Sequence, residues 1–489
     1  MNIDAKKSAR QAEGAQKWRT SKKHGAIKNG SGVLNYVYGF GKTYGTINYI
    51  IKPVLLQDLL NQNVIIVVPS DAIKKQWRIE ISKFITYECN IQIFSADELI
   101  NAKEIHVCTL LVVDELHLFY SEEREKLINK TLIKFKYNVG LTATYEDSTG
   151  RHKKHNKLWH VIDKIDEAEG IKEGYISKFI EYNISVDFTQ LEKLEYDQHT
   201  VAIGLHLPKF NNNLKFVILC LTGGEDKNGN FHKAIQWATS LAVSNGWKSS
   251  LDLSIDNNIQ INNLWNPSKI IGYAKLLMDA IRLRKDIVYN AHNKISITTD
   301  IIEKFKELKT ICFSQSTAFA DKVALSINER MGSDYCVVYH SNVSSRPLKG
   351  DDGHWITYKS GNKEGQIKLF GKTTLKNIAI DAIKNGKAGA ISSSSALDAG
   401  FNVESIRMSI TTSGTANVIQ QKQRRGRVVR IEKGYNDNVL IINVYIKDSV
   451  DENWLRKRQQ KSSTIPYSIH SIEQIRIKNT KKINPFTIQ

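Results

Sequence analysis

Short runs of continuous apolar residues, each followed by a turn and a helix-like stretch, constrain the fold of this chain more than any other feature. Between about Gly32 and Thr144 there are four such runs, VLNYVYGF, NVIIVVPS, LLVVDELH and YNVGLTAT. A parallel sheet covered on both faces requires continuous rather than alternating hydrophobicity. Because the runs are interleaved with helix-like stretches, they predict βαβ units and a doubly wound α/β lobe.

The same pattern returns between about Lys309 and Ile446, where the strand candidates are TICFSQS, YCVVYHS, AGAISSS, IRMSITT and VLIINVYI. The stretch from about Gln190 to Asn293 has fewer strand signals and ends in the helix-like run IIGYAKLLMDAIRLRKDIVYNA. We therefore predict an α/β protein with two doubly wound parallel-sheet lobes, a partly helical insertion and a basic C-terminal tail. The predicted bounds are 1–168 for the first lobe, 169–446 for the second with its insertion at about 190–293, and 447–489 for the tail.

The charge is strongly basic, with 69 Lys and Arg against 50 Asp and Glu and a net charge of +19. Most of the surplus lies at the two ends, since residues 1–30 hold eight basic and two acidic residues and residues 421–489 hold fifteen and six. A surplus of this size favours a polyanionic partner, with nucleic acid ahead of an anionic membrane. Solvated basic ends would give the same numbers, so charge alone does not decide.

Cysteine spacing and hydropathy indicate the compartment. The five cysteines, Cys89, Cys108, Cys220, Cys312 and Cys336, lie far apart and form no CxxC pair, which fits neither a disulfide framework nor a zinc site. No apolar run approaches the roughly 20 residues of a bilayer span, and the N-terminal residues lack the apolar core of a signal peptide. We expect a cytoplasmic protein with no membrane partner.

A candidate phosphate-binding loop follows the first predicted strand, with the sequence Tyr38-Gly39-Phe40-Gly41-Lys42-Thr43. Glycines let backbone N–H groups turn toward a phosphate, and the N-terminus of the next helix adds the positive end of its dipole. A lysine neutralises phosphate charge and a threonine hydroxyl can hold Mg²⁺. Tyr36 stands where the complete GxxxxGK[ST] pattern has its first glycine, so an incidental glycine turn remains an alternative.

Two adjacent carboxylates, Asp114 and Glu115, come at the end of the apolar run LLVVDELH. Ligands of α/β folds bind at the carboxyl edge of the sheet, where these residues would lie. One carboxylate can hold Mg²⁺ and its neighbour can orient the water that attacks a γ-phosphate. The alternative is an ordinary helix cap, because acidic residues after a strand often cap helices.

The run Gln423-Arg424-Arg425-Gly426-Arg427-Val428-Val429-Arg430 places Arg427 and Arg430 three residues apart, which would put them on one face if the segment is helical. Phosphoryl transfer uses such arginines as fingers that stabilise transition-state charge. A basic helix facing nucleic acid or solvent is the alternative. The strand end GLTAT, residues 140–144, supplies short hydroxyl side chains beside the same predicted site.

In order and spacing these elements resemble the superfamily 2 helicases and translocases of the DExH type. GFGKT resembles motif I, IIVVPSDAIKKQW motif Ia, VVDELH motif II, GLTAT motif III, CFSQS motif IV, SSSSALDAGFNV motif V and QRRGRVVR motif VI. The phrases LTATYEDSTGR, FADK, ALDAGFNV and ENWLRKRQ look closest to phage-encoded DNA helicases that drive branch migration and process Holliday junctions. The resemblance covers about residues 8–460 and implies that the two lobes are RecA-like.

The resemblance also implies a set of functional residues. Catalytic roles fall on Lys42, Asp114, Glu115, Gln423, Arg427 and Arg430. Nucleotide contacts fall on Gln11, Gly39, Phe40, Gly41, Lys42, Thr43, Tyr44, Gly400 and Asn402, and Mg²⁺ would be held at Thr43 and Asp114. Nucleic-acid contacts fall on Pro69, Ser70, Ser314, Gln315, His340, Ser341 and Ser394.

The implied protein is a monomeric ATP-dependent and Mg²⁺-dependent DNA helicase or translocase, acting on single-stranded, forked or branched DNA in replication or recombination. If it is viral, its compartment is the host cytoplasm. An RNA helicase, the motor of a restriction or recombination complex, and a non-catalytic nucleic-acid-binding protein with a relic ATPase lobe are the alternatives.

Overall fold

A computed structural model of the protein describes residues 3–59, 61–146, 150–226, 228–245, 267–348, 352, 354–360, 363–394, 406–431, 438–460 and 465–476. The chain divides into two compact units. The first unit consists of Met1–Ser185, Thr298–Val444 and Asn453–Gln489, and the second of Val186–Ile297 and Tyr445–Glu452. Among the described residues, no helix is both long and apolar enough to cross a membrane.

The α-helices, in chain order, are α1 Ile3–Arg19, α2 Lys42–Thr46, α3 Lys52–Leu55, α4 Asp71–Phe84, α5 Ala96–Ala102, α6 Glu125–Ile128, α7 Glu167–Lys172, α8 Gln190–His206, α9 Leu214–Thr222, α10 Ala234–Ser244, α11 Pro267–Asn290, α12 Asn293–Lys304, α13 Thr317–Met331, α14 Lys372–Lys384, α15 Val418–Arg425 and α16 Val450–Gln459. A π-helical turn, Ile47–Ile51, joins α2 to α3, so the helical run after the candidate phosphate loop continues from residue 42 to residue 55.

The first lobe contains a six-stranded parallel sheet with the order β3-β2-β4-β5-β1-β6. Its strands are β1 Ser31–Tyr36, β2 Asn63–Val68, β3 Asn90–Ser95, β4 His106–Asp114, β5 Ile133–Thr142 and β6 Val161–Ile165. Successive residues of one strand enter different cores: Leu110 and Val112 pack on one face, Leu111 and Val113 on the other. The sheet is thus covered on both faces, which explains why its central strands read as unbroken apolar runs.

The second lobe contains a seven-stranded sheet with the order β11-β14-β10-β15-β16-β7-β17. Its strands are β7 Phe179–Val186, β10 Thr310–Phe313, β11 Cys336–Tyr339, β14 Ala390–Ser393, β15 Met408–Thr411, β16 Val439–Ile446 and β17 Tyr467–Ile469. Two short antiparallel pairs complete the set of described strands, β8 Gly224–Glu225 with β9 Phe231–His232, and β12 Arg346–Pro347 with β13 Leu369–Phe370. The predicted fold class, two doubly wound parallel-sheet lobes, is confirmed.

The second compact unit is built mainly from helices α8 to α11, which share an apolar core that includes Phe210, Val217, Leu241 and Leu277. Its most deeply buried polar contact joins Lys294 Nζ to Asp451 Oδ2 at 2.6 Å, with both side chains fully buried. The predicted lobe and insertion bounds remain predictions. Part of the predicted tail is structured, since α16 and β17 lie in it and β17 pairs in parallel with β7.

Four strands of the two large sheets were missed by the sequence analysis. β3, β6 and β17 are at sheet edges, where one side of the strand needs no apolar cover, so their sequences mix polar and apolar residues. β7 is an inner strand, but Glu181 and Asn183 interrupt its apolar pattern because both belong to a buried polar network. Among the described strands of the two large sheets, hydrophobic runs therefore identified every inner strand except β7, and β11 alone of the edge strands.

Helix α1 is attached to the first sheet by a buried cluster around Asp163. Arg10 donates two hydrogen bonds to the Asp163 carboxylate, at 2.6 and 3.0 Å, and Lys17 Nζ and the Tyr36 hydroxyl donate at 3.0 and 2.7 Å. Burial alone would raise the pKa of Asp163, but the hydrogen bonds from Arg10, Tyr36 and Lys17 together hold it below its usual value. The cluster fixes α1, which carries Gln11, against strand β1.

Replacing Asp163 with Asn should lower the free energy of unfolding by about 3–5 kcal/mol at neutral pH, because Arg10 and Lys17 would lose a buried counter-ion. Since the pKa of Asp163 is depressed in the folded protein, its stabilising contribution is present above the unfolded value of about 3.9 and is lost as pH falls through the folded pKa. The difference between the two proteins should therefore shrink below about pH 4. Urea unfolding at several pH values measures it.

The matched control is Asp197→Asn, which breaks an exposed pair with Lys193 on α8 and should cost about 0.5 kcal/mol or less. An Asp163→Asn protein as stable as the wild type at pH 7 would contradict the anchoring role.

Candidate functional site

The candidate phosphate loop lies between β1 and α2, and its two glycines have backbone conformations that other residues rarely adopt. Gly39 and Gly41 have φ of 81° and 89°. Lys42 is the first residue of α2, and its Nζ donates to the Tyr36 carbonyl at 3.2 Å. Thr43 follows in the same turn and is half-buried. The loop therefore has the backbone geometry that a phosphate cradle requires.

Phe40 and Gln11 stabilise the conformation of this loop. The Phe40 ring is fully buried and packs edge-on against Tyr36 and Tyr175, with centroid distances of 5.0 Å to each, so only its main chain can face a nucleotide. Gln11 Nε2 donates to the carbonyls of Phe40 and Gly41 at 2.9 and 3.1 Å. The predicted nucleotide contact Gln11 thus also stabilises the loop conformation.

Among the predicted nucleotide contacts in helix α2, Tyr44 has the most exposed side chain. Its side chain is 38% exposed and packs edge-on against Phe84 at a centroid distance of 5.1 Å. Gly400 and Asn402 lie outside the described residues.

The acidic pair lies at the end of β4, next to the phosphate loop. Because β4, β5 and β1 are neighbours, their carboxyl ends bring Asp114, Thr142 and the loop to one edge of the sheet. Asp114 is buried, and its carboxylate accepts hydrogen bonds from Trp77 Nε1 at 2.8 Å and from the Glu115 backbone N–H at 3.0 Å. Glu115 has a φ of 50°, in the left-handed region where a non-glycine residue is strained.

The electrostatics of this pair depend on cations from both lobes. Burial, and next the charge of Glu115, raise the pKa of Asp114 to about 6, against the hydrogen bond from Trp77 and the charge of Lys42. Burial raises the pKa of Glu115 as well, although the charges of Lys42 and Arg427 oppose the rise. Two adjacent carboxylates beside two cations supply the charges that bind a metal ion and a phosphate.

His117 connects the acidic pair to the end of the next strand. Its Nδ1 lies 2.9 Å from the Thr142 hydroxyl, which donates to the Thr144 carbonyl and accepts from the Thr144 backbone N–H, both at 3.0 Å. The segment GLTAT is therefore hydrogen-bonded directly to the carboxylate-bearing turn. A conformational change in the GLTAT segment can therefore be transmitted to the turn that carries Asp114 and Glu115, and the reverse, through these hydrogen bonds.

Arg427 and Arg430 lie beside the phosphate loop of the first lobe. They do not share a helix face as the spacing suggested, because α15 ends at Arg425 and both arginines belong to the turn and the segment that follow it. The charge of Arg427 acts on both Glu115 and the Tyr38 hydroxyl. A Cβ added at Gly39 would lie 3.5 Å from Arg430 Cγ, so the loop and this side chain are in close contact. The Arg430 carbonyl also accepts a hydrogen bond from the Ser177 hydroxyl at 2.9 Å.

Tyr38 is a residue of the site that the sequence analysis missed. Lys42 Nζ lies 4.6 Å from the centroid of its ring, and its hydroxyl is close to Glu115, Arg427 and Gln423. Burial, and next the charge of Glu115, raise the pKa of Tyr38 well above its usual value. Its position directly before Gly39, inside the candidate loop, was the available signal.

Arg425 is a second residue to which the sequence analysis gave no role. Its ion pairs anchor the C-terminal end of α15. Its guanidinium donates to both carboxylate oxygens of Glu167 at 3.0 and 2.8 Å and to Glu181 Oε2 at 2.6 Å. Glu181 also accepts hydrogen bonds from Gln421, Asn443 and Gln459 at 3.2, 2.9 and 3.0 Å. The residues of this network come from several separate elements, so no local pattern in the sequence predicts the network.

The predicted nucleic-acid contacts all lie at carboxyl ends of parallel strands. Pro69 and Ser70 follow β2, Ser314 and Gln315 follow β10, His340 and Ser341 follow β11, and Ser394 follows β14. Since β11, β14 and β10 are neighbours, the second-lobe positions share one edge of that sheet. The arrangement suits a track for a nucleic-acid backbone.

Several of these side chains are already engaged within the second lobe. Ser314 is buried, and its hydroxyl donates to the Ser316 carbonyl at 2.8 Å. His340 is also buried, with Nε2 3.0 Å from Asp321 Oδ1, and Ser394 is 3% exposed. For these three residues, the main chain rather than the side chain would contact a nucleic acid.

Gln11 Oε1 and Glu115 Oε2 are among the buried polar atoms near the phosphate loop that have no hydrogen-bond partner in the described part of the chain. Glu115 Oε2 lies 3.5 Å from His117 Nδ1 without a hydrogen bond. Buried polar atoms are seldom left unsatisfied unless a ligand or water completes them. The carboxylates, Lys42 and the glycine turn match the donors and acceptors of a magnesium nucleotide, so the residues present fit ATP and Mg²⁺.

Comparisons with known proteins show what the chain is similar to in sequence and in fold. No protein-family model matches the chain. The DNA 3'-5' translocase XPB2 of Sulfurisphaera tokodaii is 22% identical over 470 residues, an alignment that covers 92% of this chain and 84% of the relative. The structure of a Dbp5 point variant from S. cerevisiae, bound to RNA and ADP BeF3, aligns with a TM-score of 0.50 at 11% identity, covering 90% of this chain and 85% of that one.

The helicase domain of Hef from Pyrococcus furiosus aligns with a TM-score of 0.49 at 13% identity, covering 88% of this chain and 95% of that one. The fold comparison rests on the Dbp5 structure, whose RecA-like lobes match the two parallel-sheet lobes of this chain. The chain has a two-lobed RecA-like fold.

Gly426 should be intolerant of any side chain. A Cβ there would lie 2.4 Å from Tyr38 Cβ, which is shorter than real contacts allow. Gly426→Ala should push α15 away from the loop and reduce the predicted ATP hydrolysis about 100-fold, since small misplacements of catalytic groups cost that much. Steady-state ATPase assays test this, with Gly272→Ala on α11, where an added Cβ meets nothing within 4 Å, as the control. Equal turnover in Gly426→Ala and wild type would contradict the prediction.

Proposed function

We propose that the protein is an ATP-dependent DNA helicase or translocase that remodels branched DNA, such as forks and Holliday junctions. One observation supports this function above the others. Lys42, the Asp114–Glu115 pair and Arg427 come from distant parts of the sequence, yet the charges of Lys42 and Arg427 both act on Glu115. Cations from two lobes around a pair of adjacent carboxylates are what a nucleoside triphosphatase needs.

In the first lobe, each residue has a defined task. Lys42 and the N–H groups of the glycine turn would bind the phosphates, and Thr43 with Asp114 would hold Mg²⁺. Bound ATP supplies the phosphoanhydride bond whose hydrolysis drives the cycle. Glu115, whose buried Oε2 has no hydrogen bond with a described residue, would accept a hydrogen bond from the attacking water and orient it.

In the second lobe, Arg427 and Arg430 would stabilise the charge that develops on the phosphates. Arg425 fixes the preceding turn through Glu167 and Glu181, so the two arginines are presented from a rigid support. The approach and withdrawal of these arginines would couple hydrolysis to relative motion of the two lobes. Alternating contacts at the strand ends of each lobe would convert that motion into stepping along a phosphate backbone.

DNA is the proposed track because the similar protein from Sulfurisphaera tokodaii is described as a DNA 3'-5' translocase and the alignment spans 92% of this chain. The net charge of +19 suits any nucleic acid. Branched DNA, a role in replication or recombination and a phage origin are supported by the resemblance of segments such as LTATYEDSTGR and ENWLRKRQ to branch-migrating phage helicases. We propose a monomer, since both sets of catalytic residues come from one chain.

Lys42→Ala and Arg427→Ala should each reduce ATP turnover by orders of magnitude while retaining most DNA affinity, because each removes a phosphate-facing cation and neither lies in an apolar core. Turnover is measured at saturating DNA, and affinity by fluorescence anisotropy. Lys285→Ala, at an exposed position of α11 in the helical unit, is the control and should behave as wild type. Loss of DNA affinity with intact basal ATPase in Arg427→Ala would favour the basic-helix alternative.

A substrate panel separates the proposed function from its rivals. We expect DNA to stimulate the ATPase more than RNA does, and ATP-dependent strand separation to be faster on forks and four-way junctions than on blunt duplex. Lys42→Ala serves as the background for every substrate. Stimulation by RNA alone would make the protein an RNA helicase, and DNA stimulation without strand separation would favour the motor of a larger complex.

A further inference from the structure

A short ribbon projects from the second lobe between β11 and α14, and the proposed mechanism does not use it. Its segments are β12, β13 and residues 356–358. Arg346 pairs with Phe370 across β12 and β13, the Ile356 N–H donates to the Leu348 carbonyl at 2.9 Å, and the Lys368 N–H donates to the Ile356 carbonyl at 2.8 Å. We call the described residues of 346–370 the Trp355 ribbon.

The Trp355 ribbon contributes nothing to the core of the lobe. None of its described residues is buried, and its large apolar side chains are exposed, with 47% for Trp355, 49% for Ile367 and 58% for Leu369. Strand pairs this small are only marginally stable in water when isolated. A ribbon that exposes tryptophan and leucine without building a core is typical of a binding element.

Its aromatic side chains are interleaved with lysines. Lys363 and Lys368 each lie 5.9 Å from the centroid of Tyr358, and Lys368 lies 5.1 Å from that of Phe370. Residues 341–372 contain six Lys and Arg against three acidic residues. Exposed rings surrounded by cations match a polyanion whose units have flat apolar faces, which is the chemistry of single-stranded nucleic acid.

The position of the ribbon agrees with that ligand. It begins just beyond His340 and Ser341, at the carboxyl end of β11, which is the sheet edge that also carries Ser314 and Ser394. Along the chain, the ribbon therefore follows directly after a strand end that is proposed to contact the nucleic-acid backbone.

From these observations we propose that the Trp355 ribbon binds single-stranded nucleic acid. Bases stack on Trp355 and Tyr358, and Lys359 and Lys363 neutralise the phosphates. The inference rests on the proposed function, because it extends the same nucleic-acid track. It assigns a binding surface that lies apart from the ATP-contacting residues.

The test uses the full chain and a fluorescein-labelled oligothymidylate as the probe. Trp355→Ala should raise its dissociation constant about tenfold, since base–aromatic stacking contributes on that scale, and Trp355→Phe should restore most of the affinity. ATP turnover at saturating DNA should stay at the wild-type value. Phe231→Ala is the matched control, because Phe231 is an aromatic residue of another two-stranded ribbon and is 66% exposed.

A charge variant gives an independent readout. Lys359→Gln combined with Lys363→Gln should lower the slope of log affinity against log salt by about 0.7 for each phosphate that is no longer neutralised. Lys215→Gln with Lys285→Gln, both exposed in the helical unit, should leave the slope unchanged.

The outcomes separate this inference from the proposed function. If the wild type binds the oligonucleotide and Trp355→Ala binds equally well, the ribbon is not a nucleic-acid surface, and a protein partner becomes its occupant. If the wild type neither binds DNA nor is stimulated by it, the proposed function itself fails. Selective weakening by the ribbon variants, with both controls unchanged, supports the inference.

Discussion

The site depends on one electrostatic arrangement, a pair of adjacent carboxylates held between cations. Burial, and next the charge of Glu115, raise the pKa of Asp114 to about 6. The charge of Lys42, from the phosphate loop, opposes the rise at both carboxylates, and the charge of Arg427, from the second lobe, opposes it at Glu115. Removing Lys42 or Arg427 would leave excess negative charge in a region of low dielectric constant. The cations that can act on a nucleotide therefore also stabilise the site before the nucleotide binds.

The supports of that arrangement lie outside the motifs themselves. On the first lobe, the Asp163 cluster fixes α1, and Gln11 on that helix holds the carbonyls of the phosphate loop. On the second lobe, Arg425 ties α15 to Glu167 and Glu181, and Glu181 also gathers Gln421, Asn443 and Gln459. Each network is buried and hydrogen-bonded, so its members are costly to remove singly. Both place a catalytic segment on a rigid base.

Local patterns predicted the central strands and the strand-end motifs, because both depend on residues that are close in sequence. The run LLVVD had to be a strand buried on both faces, and it had to end at the carboxyl edge of its sheet. The same reasoning failed for β7, whose Glu181 and Asn183 look unsuited to an inner strand until their distant partners are known. It also passed over Tyr38 and the Trp355 ribbon, since neither a tyrosine in a glycine loop nor a lysine-rich loop has a distinctive period.

The sequence by itself determined the α/β class, the order of the motifs, the glycine loop at residues 39–41 and the acidic pair at 114–115. Periodicity and turn chemistry act over a few residues, so they can be read without the fold. Only the tertiary structure decided that Arg427 acts on Glu115, that His117 meets Thr142, that Arg425 binds Glu167 and Glu181, and that Trp355 is exposed. These contacts depend on which strands become neighbours and on which polar groups are buried next to each other. Packing between segments far apart in the chain sets the strand order and the burial alike.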